Sequence, residues 1–332
     1  MINILIQENY IKKKKYINMI ENIKKSKHIN VYNFNNKNDI KVLTEKHKLE
    51  NIITVCHNNL DIKISYTNII SALKNVLKLM PNMKKKMDIL KNICLNIPII
   101  LFSCGPSSDI NLKKMKEIED NYLILAVKYS RDILLKNNIF IDFTLQSHFT
   151  HKGYKLVNSN EENTISLLII SECWPSSIRT SLHSKSDIIF TPYNNVNWTH
   201  DKTFNNLITK KNINIITIND NKIKEKLIVF FKAHIMLEVS IPFSMYIGCK
   251  NIFTFGWDGP KNGKYNYASG KELNLPNRIS AVNNRIVNNA TIKEYGFIKT
   301  IDNEIFIKNN INVYKCNEIS PIKLRFKDIL NN

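Results

Sequence analysis

Long apolar runs are missing from this 332-residue chain: nothing approaches the roughly 18–20 consecutive apolar residues of a membrane span. Paired cysteines are missing too. The six cysteines, Cys56, Cys94, Cys104, Cys173, Cys249 and Cys316, are scattered without a C-x-x-C pair. That argues against a zinc site or a disulfide framework and leaves most of them as small core residues. The P-loop, the H-E-x-x-H zinc helix and the G-x-S-x-G nucleophile elbow are all absent. No pair of carboxylates declares itself by spacing, and no internal repeat is visible. The stretch Met1–Gln7 is too short for a secretory signal, and the basic run Lys12–Lys15 follows it rather than precedes it. A cytoplasmic protein is expected.

What is present in excess is positive charge. The formal net charge is +20 and the pI is about 9.5. A polyanionic partner would fit: nucleic acid, an anionic membrane surface or a phosphorylated substrate. Yet the lysines are spread along the chain, with no basic patch interleaved with aromatics. The joint abundance of Asn, Lys and Ile is also what an A/T-rich coding sequence would give. Nucleic acid is therefore not expected as a partner, and peripheral contact with a membrane stays open. A hydrophobic content of 43% is enough for a substantial core in one large or two modest domains.

The chain divides by pattern into an N-terminal α/β region over 1–96 and a main domain over 97–332. In the first, Ile4–Ile6, His28–Phe34 and Ile52–Cys56 read as strands, with a Lys-rich helix at about 9–26. Apolar residues at helical spacing over 68–80 predict a helix that Pro81 ends, and a second runs from Met83 to Cys94. Asn- and Lys-rich 35–38 reads as a loop. From 97 strands and helices alternate. The strands are Ile97–Ser103, Tyr122–Val127, Ile139–Leu145, Ser166–Ile170, Asp187–Phe190, Ile213–Thr217, Asn251–Phe255 and Ile311–Cys316. Between them lie helical patterns at 112–118 and 131–136 and a mostly helical stretch over 226–247, in which Pro242 must kink the helix or start a new one. This alternation predicts an α/β fold: a mostly parallel sheet with helices on both faces, binding ligands at the carboxyl ends of the strands.

Three strand ends carry candidate chemistry. After Ile97–Ser103 comes Cys104-Gly105-Pro106-Ser107-Ser108. A strand, a tight glycine turn and a helix would place backbone N–H groups beside a phosphate. An ordinary turn with Ser107, Ser108 or Asp109 as helix cap fits equally well. After Asn251–Phe255 comes Gly256-Trp257-Asp258-Gly259-Pro260, then a loop with Tyr265 and Tyr267. Asp258 could act as a base or orient a sugar hydroxyl, and the tyrosines could donate to phosphate. A turn-forming Asp among partly exposed tyrosines fits as well. The third end is Cys316–Pro321, where Asn317 and Ser320 could contact a nucleotide or could cap a turn into a last helix. His148, His151 and Trp174 follow strands, and His234 lies in an apolar helical stretch; two solvent-facing histidines, a packed tryptophan and a hydrogen-bonded core histidine account for them.

Together these segments resemble a known group. Gly105-Pro106-Ser107 after an apolar strand is similar to the G-P-S-L signature shared by bacterial family 42 sialyltransferases, Maf motility-accessory glycosyltransferases and 6-hydroxymethylpterin diphosphokinase MptE-like proteins, with Ser108 in place of Leu. Ile139–Phe143 is similar to the I-x-P-D-f strand of the Maf and MptE-like proteins, with Ile141 in place of Pro. Gly248–Asp258 is similar to their G-x-D strand, and Val313–Cys316 to their last strand. The resemblance covers about 97–330.

The resemblance implies a Rossmann-like nucleotide-binding domain with a flexible lid, here at about 259–285. It implies nucleotide contacts from Gly105, Pro106, Ser107 and Ser108, and from Lys128 and Gln146, which stand where the sialyltransferases have Asn. Tyr265 and Ser320 would join them, with Asp258 and Tyr267 as catalytic residues. The implied activity is transfer of a sialic-acid-like nonulosonic acid from a CMP-activated donor to a glycan or protein acceptor, with no metal and no further cofactor. Two alternatives stand beside it: pyrophosphoryl transfer from ATP with magnesium to a pterin-like alcohol, and a catalytically inactive nucleotide-binding protein. The last fits the lack of any His beyond His234, because the sialyltransferases carry a catalytic His in or near the lid. The small Gly-Ser pair that opens the helix before their G-x-D strand is replaced by Ile235-Met236-Leu237.

Overall fold

The computed structural model describes residues 1–8, 11–56, 65–66, 68–81, 83–105, 108, 112–128, 130–147, 164–169, 186–191, 216–217, 235–257, 298–299, 302–318, 320 and 322–331. The chain opens with β1 (Ile2–Gln7), α1 (Lys14–Lys24), β2 (Ile29–Phe34), α2 (Lys37–His47), β3 (Ile52–Val55) and β4 (Ser65–Tyr66). These strands form a four-stranded parallel sheet in the order β2-β1-β3-β4. Helix α2 falls partly on the stretch read as a loop. Its start is fixed by a capping box: the Asn36 side chain accepts from the Asp39 N–H while the Asp39 carboxylate accepts from the Asn36 N–H.

Helices α3 (Ile69–Leu79) and α4 (Met83–Ile93) lead into the second sheet. Its strands are β5 (Ile99–Phe102), β6 (Leu123–Val127), β7 (Phe143–Ser147), β8 (Ile165–Ile169), β9 (Ile188–Thr191), β10 (Ile216–Thr217), β11 (Asn251–Phe255), β12 (Asn312–Lys315) and β13 (Arg325–Phe326). Between them lie α5 (Leu112–Ile118), α6 (Ser130–Lys136) and α7 (Ile241–Tyr246). The nine strands are ordered β10-β9-β8-β7-β6-β5-β11-β12-β13, and each pairing is parallel. A turn of π-helix over Ile235–Ser240 runs into α7, whose first turn holds Pro242, so the proline starts a new helix.

Both faces of the large sheet are covered, as the alternation of side chains requires. Ile99, Leu101, Leu123 and Leu125 point into one core with Met19 of α1, Leu73 of α3, Leu90 of α4 and Phe243 of α7. Ile100, Phe102, Ile124 and Ala126 point the other way, onto Met115 of α5, Leu134 of α6 and Ile329 near the C-terminus. The first core also takes Ile2, Ile4 and Ile6 of β1, so one continuous apolar cluster joins the two sheets.

Two further elements differ from the sequence pattern. The strand expected from Ile139 begins only at Phe143. Asn138 adopts the left-handed conformation (φ 55°) and the Ile139 N–H donates back to the Leu134 carbonyl, so 138–139 close α6 instead. No helix follows the Cys316 turn among the described residues; the chain there pairs as β13. No described helix is long and apolar enough to cross a membrane. The expected lid at about 259–285 lies outside the described residues.

A buried charge cluster ties α1 to the amino ends of β6 and β7. The Lys15 ammonium donates to Asp142 Oδ2 at 2.7 Å, with both side chains fully buried. The Tyr16 hydroxyl donates to Oδ1 at 2.9 Å and the Ile124 N–H to Oδ2 at 2.8 Å. Burial pushes the Lys15 ammonium pKa down, against the pull of Asp142, and pushes the Tyr16 hydroxyl pKa well up. Asp142 is the carboxylate of the I-x-P-D-like strand. It serves the end of the sheet opposite the strand-end loops.

Candidate functional site

The strand order reverses at β5. From there the chain moves outward through β6 to β10, then returns to the other side of β5 as β11. In doubly wound sheets the ligand crevice lies at the carboxyl ends of the two strands flanking such a reversal. Those ends are the loops after Phe102 and Phe255, which are register partners.

The two loops are bound to each other by backbone. The Ser103 N–H donates to the Phe255 carbonyl and the Gly105 N–H to the Gly256 carbonyl, each at 2.9 Å. Gly256 has φ 68°, and a β-carbon there would sit 2.3 Å from the Ser103 oxygen and 2.9 Å from the Gly105 nitrogen. Only glycine permits this approach. Ser108 closes the turn: its N–H and its hydroxyl both donate to the Gly105 carbonyl, at 2.9 and 2.7 Å. The backbone N–H groups of Gly105 and Ser108 thus bond within the protein. These residues tie the two loops together at the strand reversal.

Two further candidate residues lie on the neighbouring strand ends. Lys128, directly after β6, adopts the left-handed conformation (φ 56°), and its N–H donates to the Leu145 carbonyl of β7 at 2.8 Å. A non-glycine residue held there is strained by about 1–2 kcal/mol, and strain of this kind concentrates at functional sites. Burial pushes the Cys104 thiol up to about 12, with Lys128 pulling it down and Asp132 pushing it up. With its thiol held protonated, Cys104 is no nucleophile at neutral pH. Gln146, on β7, is only 8% exposed, and its amide nitrogen Nε2 has no hydrogen-bond partner. A buried unsatisfied donor of this kind costs about 1–3 kcal/mol.

Ser320 lies beyond β12, and its buried hydroxyl donates to the Trp257 carbonyl at 3.1 Å. It braces the loop after β11. The structure thus places Gly105, Ser108, Lys128 and Gln146 on the ends of three adjacent strands, β5, β6 and β7, with Ser320 supporting the β11 side. Pro106, Ser107, Asp258, Tyr265 and Tyr267 lie outside the described residues, as do His148, His151, Trp174 and His234. Among the described residues no group of His, Cys, Asp or Glu side chains could hold a metal ion.

Sequence reasoning missed two supports. Ser130, at the start of α6, is fully buried, with its hydroxyl on the Phe102 carbonyl at 2.6 Å and the Val127 carbonyl at 3.0 Å. A serine just after an apolar strand is a helix-start signal that could have marked it. Gly256 was visible only as part of a motif; its contact with Ser103 is a tertiary fact.

The sequence matches the family described as 6-hydroxymethylpterin diphosphokinase MptE-like over residues 68–260, more than half of the chain. The chain belongs to the MptE-like family. The match runs from the cap of α3 to just past β11 and so contains the crevice and the Lys128 and Gln146 strand ends. The first four strands of this MptE-like protein, with Lys15, lie outside it. A solved structure of the Maf glycosyltransferase from Magnetospirillum magneticum AMB-1 is also similar, at 11% identity and a TM-score of 0.41. That similarity covers 90% of the MptE-like chain and 48% of the Maf chain, so the chain spans about half the length of the Maf protein. No curated protein matches the chain in sequence.

Proposed function

We propose that this MptE-like protein is a glycosyltransferase that moves a sialic-acid-like nonulosonic acid from a CMP donor to a glycan or protein acceptor. The observation that carries the reading is the presence, on adjacent strand ends near the strand reversal, of a strained Lys128 and a Gln146 whose buried amide nitrogen has no partner. A cation and a neutral donor on adjacent strand ends suit a phosphate and the polar groups of a base. The likeness of the Gly105-Pro106-Ser107 and Gly256-Trp257-Asp258 segments to sialyltransferase and Maf sequences supports the choice of donor.

In this reading the bond between the anomeric carbon and the CMP phosphate oxygen breaks, and the electron pair leaves with CMP. Lys128 stabilises the charge gathering on that phosphate. The acceptor hydroxyl attacks the oxocarbenium-like carbon and gives its proton to a base, for which Asp258 is the candidate, with Tyr267 donating to the departing phosphate. The transfer needs no metal. The protein acts in the cytoplasm, and its positive charge favours acceptors presented at an anionic membrane surface.

The family match supports a second reading, pyrophosphoryl transfer from ATP to a pterin-like alcohol. Product analysis separates the two. Incubation with CMP-sialic acid should release CMP at a rate that EDTA leaves unchanged. AMP release from ATP and magnesium, with no turnover of the CMP donor, would replace the first reading with the second.

A further inference from the structure

We infer that Ser130 is a positioning residue that holds Lys128 against the glycine turn; this rests on the reading of Lys128 as the phosphate contact. The hydroxyl of Ser130 has one proton and two carbonyls in range, Phe102 at 2.6 Å and Val127 at 3.0 Å. Phe102 is the last residue of β5 and leads into the Gly105 turn. Val127 is the last residue of β6 and leads into Lys128. One buried hydroxyl therefore joins the two strand ends whose loops form adjacent walls of the crevice.

Parallel ladder bonds do not reach that far. The register of β5 with β6 ends at Phe102 and Ala126, so beyond it Ser130 supplies a cross-link between the two chains. It is needed because Lys128 is held at φ 56°, where a residue with a side chain relaxes unless its surroundings fix it. Three bonds do so: the Lys128 N–H to Leu145 at 2.8 Å, the Arg131 N–H to the Lys128 carbonyl at 3.4 Å, and the Ser130 hydroxyl between them. On the far side of the turn Gly256 performs the matching task with its carbonyl on the Gly105 N–H. The turn is thus clamped from both flanking strands, and the Lys128 backbone is fixed without a ligand having to order it.

The test uses the full chain and two readouts. Without ligand, Ser130→Ala should speed amide hydrogen exchange at Lys128 about tenfold while Leu125 and Ala126 within β6 keep their protection. With CMP in calorimetry, S130A should weaken binding about five- to tenfold, the worth of one buried hydrogen bond. In a Lys128→Ala background the same substitution should change affinity less than twofold. If S130A does not fold, Ser130→Cys, which keeps a weak donor, enters the same cycle and should show a smaller loss of the same sign. Unchanged exchange at Lys128, or an affinity loss equal in both backgrounds, would overturn the inference. Wild-type protein indifferent to CMP would instead sink the nucleotide reading, and the exchange measurement would still decide whether Ser130 holds Lys128.

Discussion

The Gly105 N–H donates to the Gly256 carbonyl at 2.9 Å, across the point where the strand order reverses. Adding a side chain at Gly256 places a β-carbon 2.3 Å from the Ser103 oxygen, a backbone atom that cannot swing away. Gly256→Ala should therefore destabilise the fold by about 2 kcal/mol or more, the left-handed strain plus a forced separation of the loops. Gly248→Ala, also at positive φ, meets the flexible Leu95 side-chain tip at 3.0 Å and the Leu95 Cα at 3.1 Å, with no contact under 3 Å. It should cost less than the Gly256 change. Urea denaturation of both variants checks the order.

Gln146 should show a trade between stability and binding. Its unpartnered Nε2 is a standing penalty in the ligand-free protein. Gln146→Leu keeps the volume and removes the donor, so it should raise ligand-free stability by about 1 kcal/mol or more. The same change should weaken nucleotide binding. Melting curves with and without CMP read both effects, and a Q146L protein that loses stability would count against an unsatisfied donor.

The parallel sheet, its helical layers and the position of most strands could be read from the sequence, because the strands are short apolar runs set between turn-forming residues; the order of the strands could not, because it depends on which distant segments pair. Helix α2 was hidden because none of its residues is fully buried and its apolar face is short, Ile40 and Leu43 resting partly buried on Leu5 and Phe34; Asn36 and Asp39 signal its start. The strand ends that carry the described candidate residues were legible as the ends of apolar runs. The bonding within it was not. That the Gly105 amide faces Gly256, and that Ser108 turns its hydroxyl onto Gly105, depends on loops from distant parts of the chain meeting. Asp142 looked like a motif residue of the crevice strands; its partner Lys15 lies 127 positions away.

Breaking that pair should be severe. Asp142→Asn or Lys15→Met leaves a charge buried without its partner, at about 3–5 kcal/mol each. The double variant should lose less than the sum of the two. Urea midpoints of the three proteins test this, and additive losses would contradict a coupled pair.

Acid stability should depend on Glu119. Burial alone would raise its carboxyl pKa, but Lys116, the Phe140 N–H and Lys13 donate to it and hold it below the usual 4.5. A depressed carboxyl pKa stabilises the fold above the unfolded value and loses that contribution as pH falls through the folded one. Glu119→Gln should flatten the decline in melting temperature below about pH 4.5, the usual carboxyl value. An unchanged acid limb would remove Glu119 from the cause.

The most direct test of the nucleotide site is calorimetric titration of CMP into the wild-type protein and into Lys128→Ala. The wild type should bind, and K128A should bind about ten- to a hundredfold more weakly, the worth of one charge-assisted contact to phosphate. No binding by the wild type, or equal affinity in the two proteins, would contradict the placement of the donor phosphate at the ends of β5 and β6.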